Sequence, residues 1–499
     1  MNPLSLKILM GHFRHGTLFL VIAFCFIGKP ARASDALDQA SRLELQGQFR
    51  QAAEILTNAM QAAALSTSER KTLEFEMDRL NRIKQDFPFT QDQLFAELKK
   101  SVKDLTSQEF EKWIAEGRFD TRTIDGKRYF MTSSISNLFF RYPELEPRRI
   151  PAKDKRKFEV SVLETCESIK RAAQAEKKPY VLPKRFDVTL TVTAKPGAAP
   201  DGESIRAWLP IPRRYPFQSG FELLSSSSKI KHIDDDQSPI RSLYLDQVAQ
   251  KDKPTVFSVE YNYTTHGVWF DIKPDAVRPI DPTDAALKEF TQEAPHVVFT
   301  PEIRALSRQI VGDETNPYLK AKKCYDWIAG NIKYSYAIEY STIRNISDYC
   351  RSHGYGDCGQ EALLFITLCR LNGIPARWQS GWNTVPGGKT IHDWSEIYLA
   401  PYGWMPVDPY MGIYATRYIT TLTPEQKKEV RDFYFGGLDQ YRMAANSYHN
   451  QPLTPPKNSM RSDDVDFQRG ELEWGNHNIY FDQYSWDLQW KEIKPAQVE

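Results

Sequence analysis

The sequence predicts an α+β chain of several domains: a helical N-terminal segment, a β-sandwich domain, and a core that joins a helix to an antiparallel sheet. Three observations carry this. Apolar residues recur at helical spacing through 35–105, they alternate at strand spacing in two stretches within 185–275, and from about 283 to 420 the two periods interleave. At 499 residues the chain exceeds one ordinary core, so about three domains is the length expectation.

Residues 1–33 stand apart from the rest. Lys7, His12, Arg14 and His15 precede an apolar run over 17–28, and Ala31-Arg32-Ala33 before Ser34 has the small-x-small form of a signal-peptidase site. We read 1–33 as a cleaved signal peptide, because the run is short beside the roughly 20 apolar residues of a membrane span. The expected location is secreted or periplasmic, with no stable membrane anchor after cleavage. Cys25 leaves with the signal, and Cys166, Cys324, Cys350, Cys358 and Cys369 remain. An odd count means at least one thiol is free or pairs outside the chain, and five are too few for a disulfide scaffold. Sixty-five basic residues against 64 acidic ones leave no electrostatic footprint for nucleic acid or an anionic membrane.

The helical region is assigned to 34–180. Leu37, Ala40, Leu43, Phe49, Ala52, Leu56 and Ala59 have helix-turn-helix spacing with Gly47 at the turn, and no second copy follows at a regular period. Residues 107–149 read as a compact mixed segment, and 152–178 as a charged, solvated helix leading to a linker at Pro179 and Pro183. In 185–275, Phe186, Val188, Leu190 and Val192 alternate with polar residues, as do Phe257, Val259, Tyr261 and Tyr263, which predicts a small antiparallel sandwich. His232 and His266 are isolated there and read as surface residues. The core is placed at 283–420. The tail, 421–499, is rich in Tyr and Trp and is expected to pack on the core, since so much aromatic surface would be hazardous in water.

The chemistry concentrates in the core. In Gly356-Asp357-Cys358-Gly359-Gln360-Glu361, glycines flank a cysteine, and the apolar run that follows closes at Asn372-Gly373 before Pro375. This puts Cys358 at a helix N-terminus, where the dipole favours thiolate, the nucleophilic form. Small neighbours Gly356 and Gly359 would let a substrate backbone approach. Thirty-four residues on (392 − 358 = 34), His392-Asp393-Trp394-Ser395-Glu396 reads as a strand with His392 and Trp394 on one face. A turn at Gly403 returns the chain as a second strand ending at Asp408-Pro409. Such a hairpin lays Asp408 beside His392, where a carboxylate holds an imidazole in one tautomer.

The segments GDCGQEALLFITLCRLNGIPARWQSGW, HDWSEIYL and GWMPVDP resemble the three motif blocks of the transglutaminase-like superfamily, in order, over about 285–420. The resemblance implies a papain-like core with Cys358 as nucleophile, His392 as acid/base and Asp408 as orienting carboxylate. Trp378 and Trp394, in strands next to these blocks, are the candidates for contact with substrate. No acidic cluster has calcium-ligand spacing, and Cys350, His353 and Cys358 lack a fourth ligand for zinc, so no metal or cofactor is expected. The reading is an exported cysteine-dependent amide or peptide hydrolase, or acyltransferase, acting on a peptide or protein substrate through a thioester. Protein cross-linking and a catalytically silent scaffold for a protein or glycan partner are the alternatives.

Overall fold

The computed structural model describes residues 33–61, 65–151, 156–386 and 388–494, so the expected signal peptide lies outside them except for Ala33. Among the described residues no helix is long and apolar enough to cross a membrane. The helices Ala33–Leu45 and Phe49–Met60 form the hairpin expected from the sequence. Gly47 turns it at φ +77°, and a Cβ there would meet the Thr123 carbonyl oxygen at 2.9 Å. The third helix, Thr67–Asp86, starts at a reciprocal cap between Ser66 and Glu69 and packs on both. Residues 107–149 fold as the helices Ser107–Ala115 and Ser134–Arg141 around the two-stranded ribbon Thr121–Ile124 and Lys127–Phe130.

The helix Arg156–Glu176 corrects the expectation of a solvated helix. Val162, Leu163, Cys166, Ile169 and Ala173 are buried along one face. Ile169 packs so closely on the sheet that a Cβ at Gly267 would lie 2.6 Å from it. Glu159, fully buried, accepts the backbone N–H groups of Thr420 and Thr421 at 3.0 and 2.8 Å, which satisfies its charge inside the interface. The charged residues that suggested solvation occupy the opposite face. Nor is there a linker at Pro183, which sits at a bulge inside the strand Tyr180–Ala194.

The sandwich is larger than 185–275, because the tail completes it. One five-stranded sheet has Thr255–Trp269 and Tyr180–Ala194 at its centre, and Tyr484–Ile493 pairs with the latter over ten residues. In the second, Glu471–Trp474 adds to Ser204–Pro210, which pairs with Ser242–Val248. Leu472, Ile479 and Leu488 from the tail join Phe186, Leu190, Val259 and Leu243 in one buried cluster between the sheets. The tail therefore belongs largely to the sandwich rather than packing only on the core.

The core sets the helix Cys358–Leu371 against a four-stranded antiparallel sheet in the order Gly403–Val407, Thr390–Leu399, Ala376–Asn383, Arg442–Asn446. Every residue from Gly359 to Arg370 is buried, so this helix is packed on all sides. The N-terminal region grips the segment that leads into it. Asn137 exchanges hydrogen bonds with the backbone of Tyr336 (2.8 and 3.1 Å), Arg141 donates to Ser335 Oγ at 3.0 Å, and Asp86 accepts the Glu339 N–H at 2.9 Å. Arg82 reaches Ser341 Oγ and the Ser462 carbonyl at 2.9 and 2.8 Å, tying segments almost 400 residues apart into one wall (462 − 82 = 380).

Candidate active site

Asp408 ends its strand and caps the next helix, Pro409–Arg417, its Oδ1 accepting the Met411 N–H at 3.1 Å. The hairpin register pairs Ser395 with Val407, which carries the Asp408 carboxylate toward His392. His392 Nε2 lies 2.8 Å from Asp408 Oδ2, and both side chains are buried. Arg442, from the tail strand, makes an ion pair with the same oxygen at 2.9 Å and is itself held by Asp439 at 3.0 Å. With Nε2–H donating to a carboxylate, Nδ1 is the nitrogen left to act as base. Burial holds the His392 pKa below the ordinary imidazole value against the pull of Asp408. Asp408 is held below the usual carboxylate range although burial opposes it, because His392 and Arg442 favour its charged form. The Trp394 ring stacks beside the imidazole at 5.8 Å, and the Tyr410 ring meets it edge-on at 5.3 Å.

Cys358 opens its helix directly after Asp357, whose carboxylate accepts the Gln360 N–H at 3.1 Å and the Tyr340 hydroxyl at 2.6 Å. The thiol donates to Asp393 Oδ2 at 3.5 Å, and Asp393 is the residue next to His392. The thiol thus meets the strand neighbour of His392, and Tyr410, which lies against the imidazole, is also within electrostatic reach of the thiol. The expectation that the helix dipole makes a resting thiolate is corrected. Burial first, then the Asp393 and Asp357 carboxyl groups, push the Cys358 thiol well above its ordinary value. Burial, helped by these two groups, outweighs the helix end and favours the thiol.

The flanking glycines also serve a different purpose from the one expected. A Cβ at Gly359 would lie 2.2 Å from the Tyr340 hydroxyl and 2.9 Å from Trp378, and one at Gly356 would lie 2.9 Å from Gln360. Protein side chains fill the space beside the nucleophile, so the glycines permit internal packing rather than substrate approach. Trp378 and Trp394, expected at the substrate surface, are instead 1% and 0% exposed. The Trp394 indole donates to Gln379 beneath the histidine, and Trp378 lies against Gly359. Both support the site from behind, because the strands that carry them are covered on both faces. Cys166, Cys324, Cys350 and Cys369 are free buried thiols. His353 stacks on Tyr349 with ring centres 3.9 Å apart, and among the described residues no His, Cys, Asp or Glu group is arranged to hold a metal ion.

A cleft of about 160 Å³ opens beside Cys358, lined among others by Tyr334, Tyr336 and Tyr340 and by Asp463, Asp466 and Arg469. Sequence reading missed Asp393, Arg442, Gln468 and these tail acids. Asp393 was legible only as the residue beside His392, on the opposite strand face. The others come from the tail, where no motif marks them; Gln468 donates to the Asp393 carboxylate at 2.7 Å and to the His392 carbonyl at 2.8 Å.

Residues 304–409, which include Cys358, His392 and Asp408, match the family described as the Transglutaminase-like superfamily. Among curated relatives, YebA of Bacillus subtilis is 28% identical over 129 residues, covering 22% of this chain and 17% of YebA. An uncharacterized protein of Haemophilus influenzae is 25% identical over 147 residues, 24% of this chain and 39% of that protein. The chain thus spans well under half the length of the curated relatives it matches. Among solved structures, a candidate cysteine protease from Cytophaga hutchinsonii aligns over 64% of this chain and 94% of its own, at 16% identity and TM-score 0.41. The periplasmic domain of TgpA from Pseudomonas aeruginosa aligns over 54% and 95%, at 13% identity and TM-score 0.26.

Proposed function

We propose that this protein is an exported cysteine-dependent amidase or peptidase that works through a thioester. The observation that carries the reading is the placement of Cys358 at a helix N-terminus beside a cleft, its thiol bonded to Asp393, the chain neighbour of a buried imidazole that a carboxylate orients. The export component rests on the signal-like pattern of 1–33.

The chemistry follows from the protonation states. Because the resting sulfur is a thiol and His392 is neutral, the proton leaves Sγ for Nδ1 as Sγ attacks the substrate carbonyl carbon, and the C=O electron pair moves onto oxygen. The backbone N–H of Cys358, in the first helical turn without an intrahelical acceptor, is available to that oxyanion. Asp408, kept ionised by Arg442, stabilises the imidazolium. The imidazolium then gives its proton to the departing amine as the C–N bond breaks, leaving a thioester. Water attacks it with His392 again as base, releasing acid and thiol. An amine in place of water would give cross-linking.

The test is the Cys358→Ala protein against the wild type on a peptide library with mass-spectrometric detection, with and without added amines. Cleavage by the wild type and loss of at least about a thousandfold in the variant is expected, on the scale seen when a nucleophile is removed. Equal cleavage by both would overturn the assignment, and amine-ligated products would move it to acyl transfer.

A further inference from the structure

The oxyanion formed when Cys358 attacks a carbonyl has one donor so far, the Cys358 backbone N–H, and such a charge is ordinarily held by a pair. Most donors that line the cleft are already committed. The Tyr340 hydroxyl donates to Asp357 at 2.6 Å, the Gln468 amide to Asp393 and to the His392 carbonyl at 2.7 and 2.8 Å, and the Thr390 hydroxyl to the Ile391 carbonyl at 3.0 Å. Arg469 stacks on the Phe481 ring at 4.5 Å and answers the carboxyl groups of Glu339, Asp463 and Asp466. Two hydroxyls remain, those of Tyr334 and Tyr336, and neither has a hydrogen-bond partner among the described residues.

Their surroundings separate the two. Tyr336 is 46% exposed, a ring standing largely in water. Tyr334 pairs with Gly356 in a short parallel ladder, two residues before Cys358 (358 − 356 = 2). Its N–H donates to the Tyr418 hydroxyl at 2.9 Å, and its ring is held by those of Phe140, Tyr410 and Tyr336, with centres 4.7, 5.0 and 5.7 Å away. Tyr410 in turn meets the imidazole, so one ring separates Tyr334 from His392. A ring packed among three others is fixed before substrate arrives, and that preorganisation is what gives an oxyanion donor its strength. Burial first, and then the neighbouring Cys358 sulfur, push the Tyr334 phenol well above its ordinary value, so the hydroxyl keeps its proton and donates at neutral pH.

We propose that the Tyr334 hydroxyl is the second oxyanion donor, acting together with the Cys358 backbone N–H; the proposal rests on the enzymatic reading above. As Sγ bonds to the carbonyl carbon and its proton passes to His392, the C=O electron pair moves onto oxygen, and the Tyr334 O–H donates to that oxygen without giving up its proton. When the pair returns and the C–N bond breaks, the hydrogen bond weakens again. The hydroxyl therefore favours the intermediate over the carbonyl on either side of it, which is the condition for raising kcat. The helix Ser134–Arg141 gains a part in the reaction as well, because its Phe140 ring is the nearest of the three that hold Tyr334 and acts as a positioning residue.

The test compares two reagents at Cys358 and needs no knowledge of the natural substrate. p-Nitrophenyl acetate acylates the sulfur through an oxyanion, with p-nitrophenolate leaving, whereas iodoacetamide alkylates it by displacing iodide and forms none. Both rates are read by mass spectrometry of the peptide that contains Cys358, and their ratio removes changes in sulfur ionisation or access. Tyr334→Phe keeps the ring and loses a hydroxyl that has no protein partner, so its melting temperature should hold while the acylation-to-alkylation ratio falls on the order of a hundredfold. Phe140→Leu, which loosens the ring and leaves the hydroxyl, should lower the ratio severalfold; an unchanged ratio there would overturn its positioning role. A ratio in Tyr334→Phe within about threefold of the wild type, or a loss as large in Tyr336→Phe, would overturn the assignment of the donor. Wild-type protein that is not acylated at Cys358 would instead overturn the enzymatic reading, so the two failures are told apart.

Discussion

At the scale of single residues, the site is a chain of charges in which each member sets the next. Asp439 holds Arg442, Arg442 and His392 hold Asp408, and Asp408 fixes which imidazole nitrogen is free. Asp408→Asn keeps the shape and loses the charge, so kcat should fall by about 10³–10⁴, with the melting temperature changing far less. Arg442→Met strands two buried carboxylates, and urea unfolding should show a loss of about 3–5 kcal/mol. The same charges set the pH profile. His392 must be neutral to take the proton, and its pKa lies below the ordinary 6.5, so the rise of kcat/KM with pH should be centred below 6.5. An acid limb centred above that value would mean another group is the base. Cys358, His392 and Asp408 could be singled out as candidates because each sits in a local pattern; Arg442 could not, because a lone arginine in a strand carries no sign of what it neutralises.

At the scale of elements, the helix Cys358–Leu371 shows where sequence patterns inform and where they stop. Its limits were legible from the glycines about Cys358 and the Asn372-Gly373 stop, and the structure adds the Asp357 cap. Its surroundings were not: a helix buried all round lacks the polar stripe that distinguishes inside from outside, and the strand Ala376–Asn383, covered on both faces, gives no clue that Trp378 is sealed. Glu361 of that helix is fully buried, and neither carboxyl oxygen has a hydrogen-bond partner among the described residues. Burial first, then Asp357 and Asp408, push its pKa well above 4.5. The folded state therefore keeps a proton that the unfolded chain gives up above about pH 4.3, and this group's contribution to stability declines as pH rises through that range and on toward the folded pKa. Glu361→Met removes the penalty. Its melting temperature should match or exceed the wild type, with the advantage widening from pH 5 to pH 9; parallel curves would show that Glu361 is not the group responsible.

At the scale of the whole molecule, the chain order conceals the units that fold. Helices, two sheets and a mixed core were legible as local periods, but periodicity says nothing about which strands pair across hundreds of residues. The tail was half read: Arg442–Asn446 closes the core sheet and 463–468 lines the cleft, as packing on the core implies, but Tyr484–Ile493 lies along Tyr180–Ala194 in the sandwich. The core sheet is bonded to Arg442–Asn446 closely enough that a Cβ at Gly381 would lie 1.8 Å from the Met443 carbonyl oxygen. The stretch 283–420, which looks like a domain in the sequence, therefore lacks a sheet strand, the Arg442 counter-charge and the Gln468 hydrogen bond to Asp393. Expressed alone, it exposes the edge of Ala376–Asn383, a row of unpaired backbone groups flanked by Trp378 and Trp382. We expect that fragment to aggregate or to be digested by protease at rates far above those of a chain spanning 34–494, and to show no selective labelling at Cys358. Adding back 421–494 in the same chain should restore only part of the fold, because Tyr484–Ile493 still lacks its partner Tyr180–Ala194. A soluble, protease-resistant 283–420 fragment with a reactive Cys358 would show instead that the sandwich and tail are accessories to a self-sufficient core.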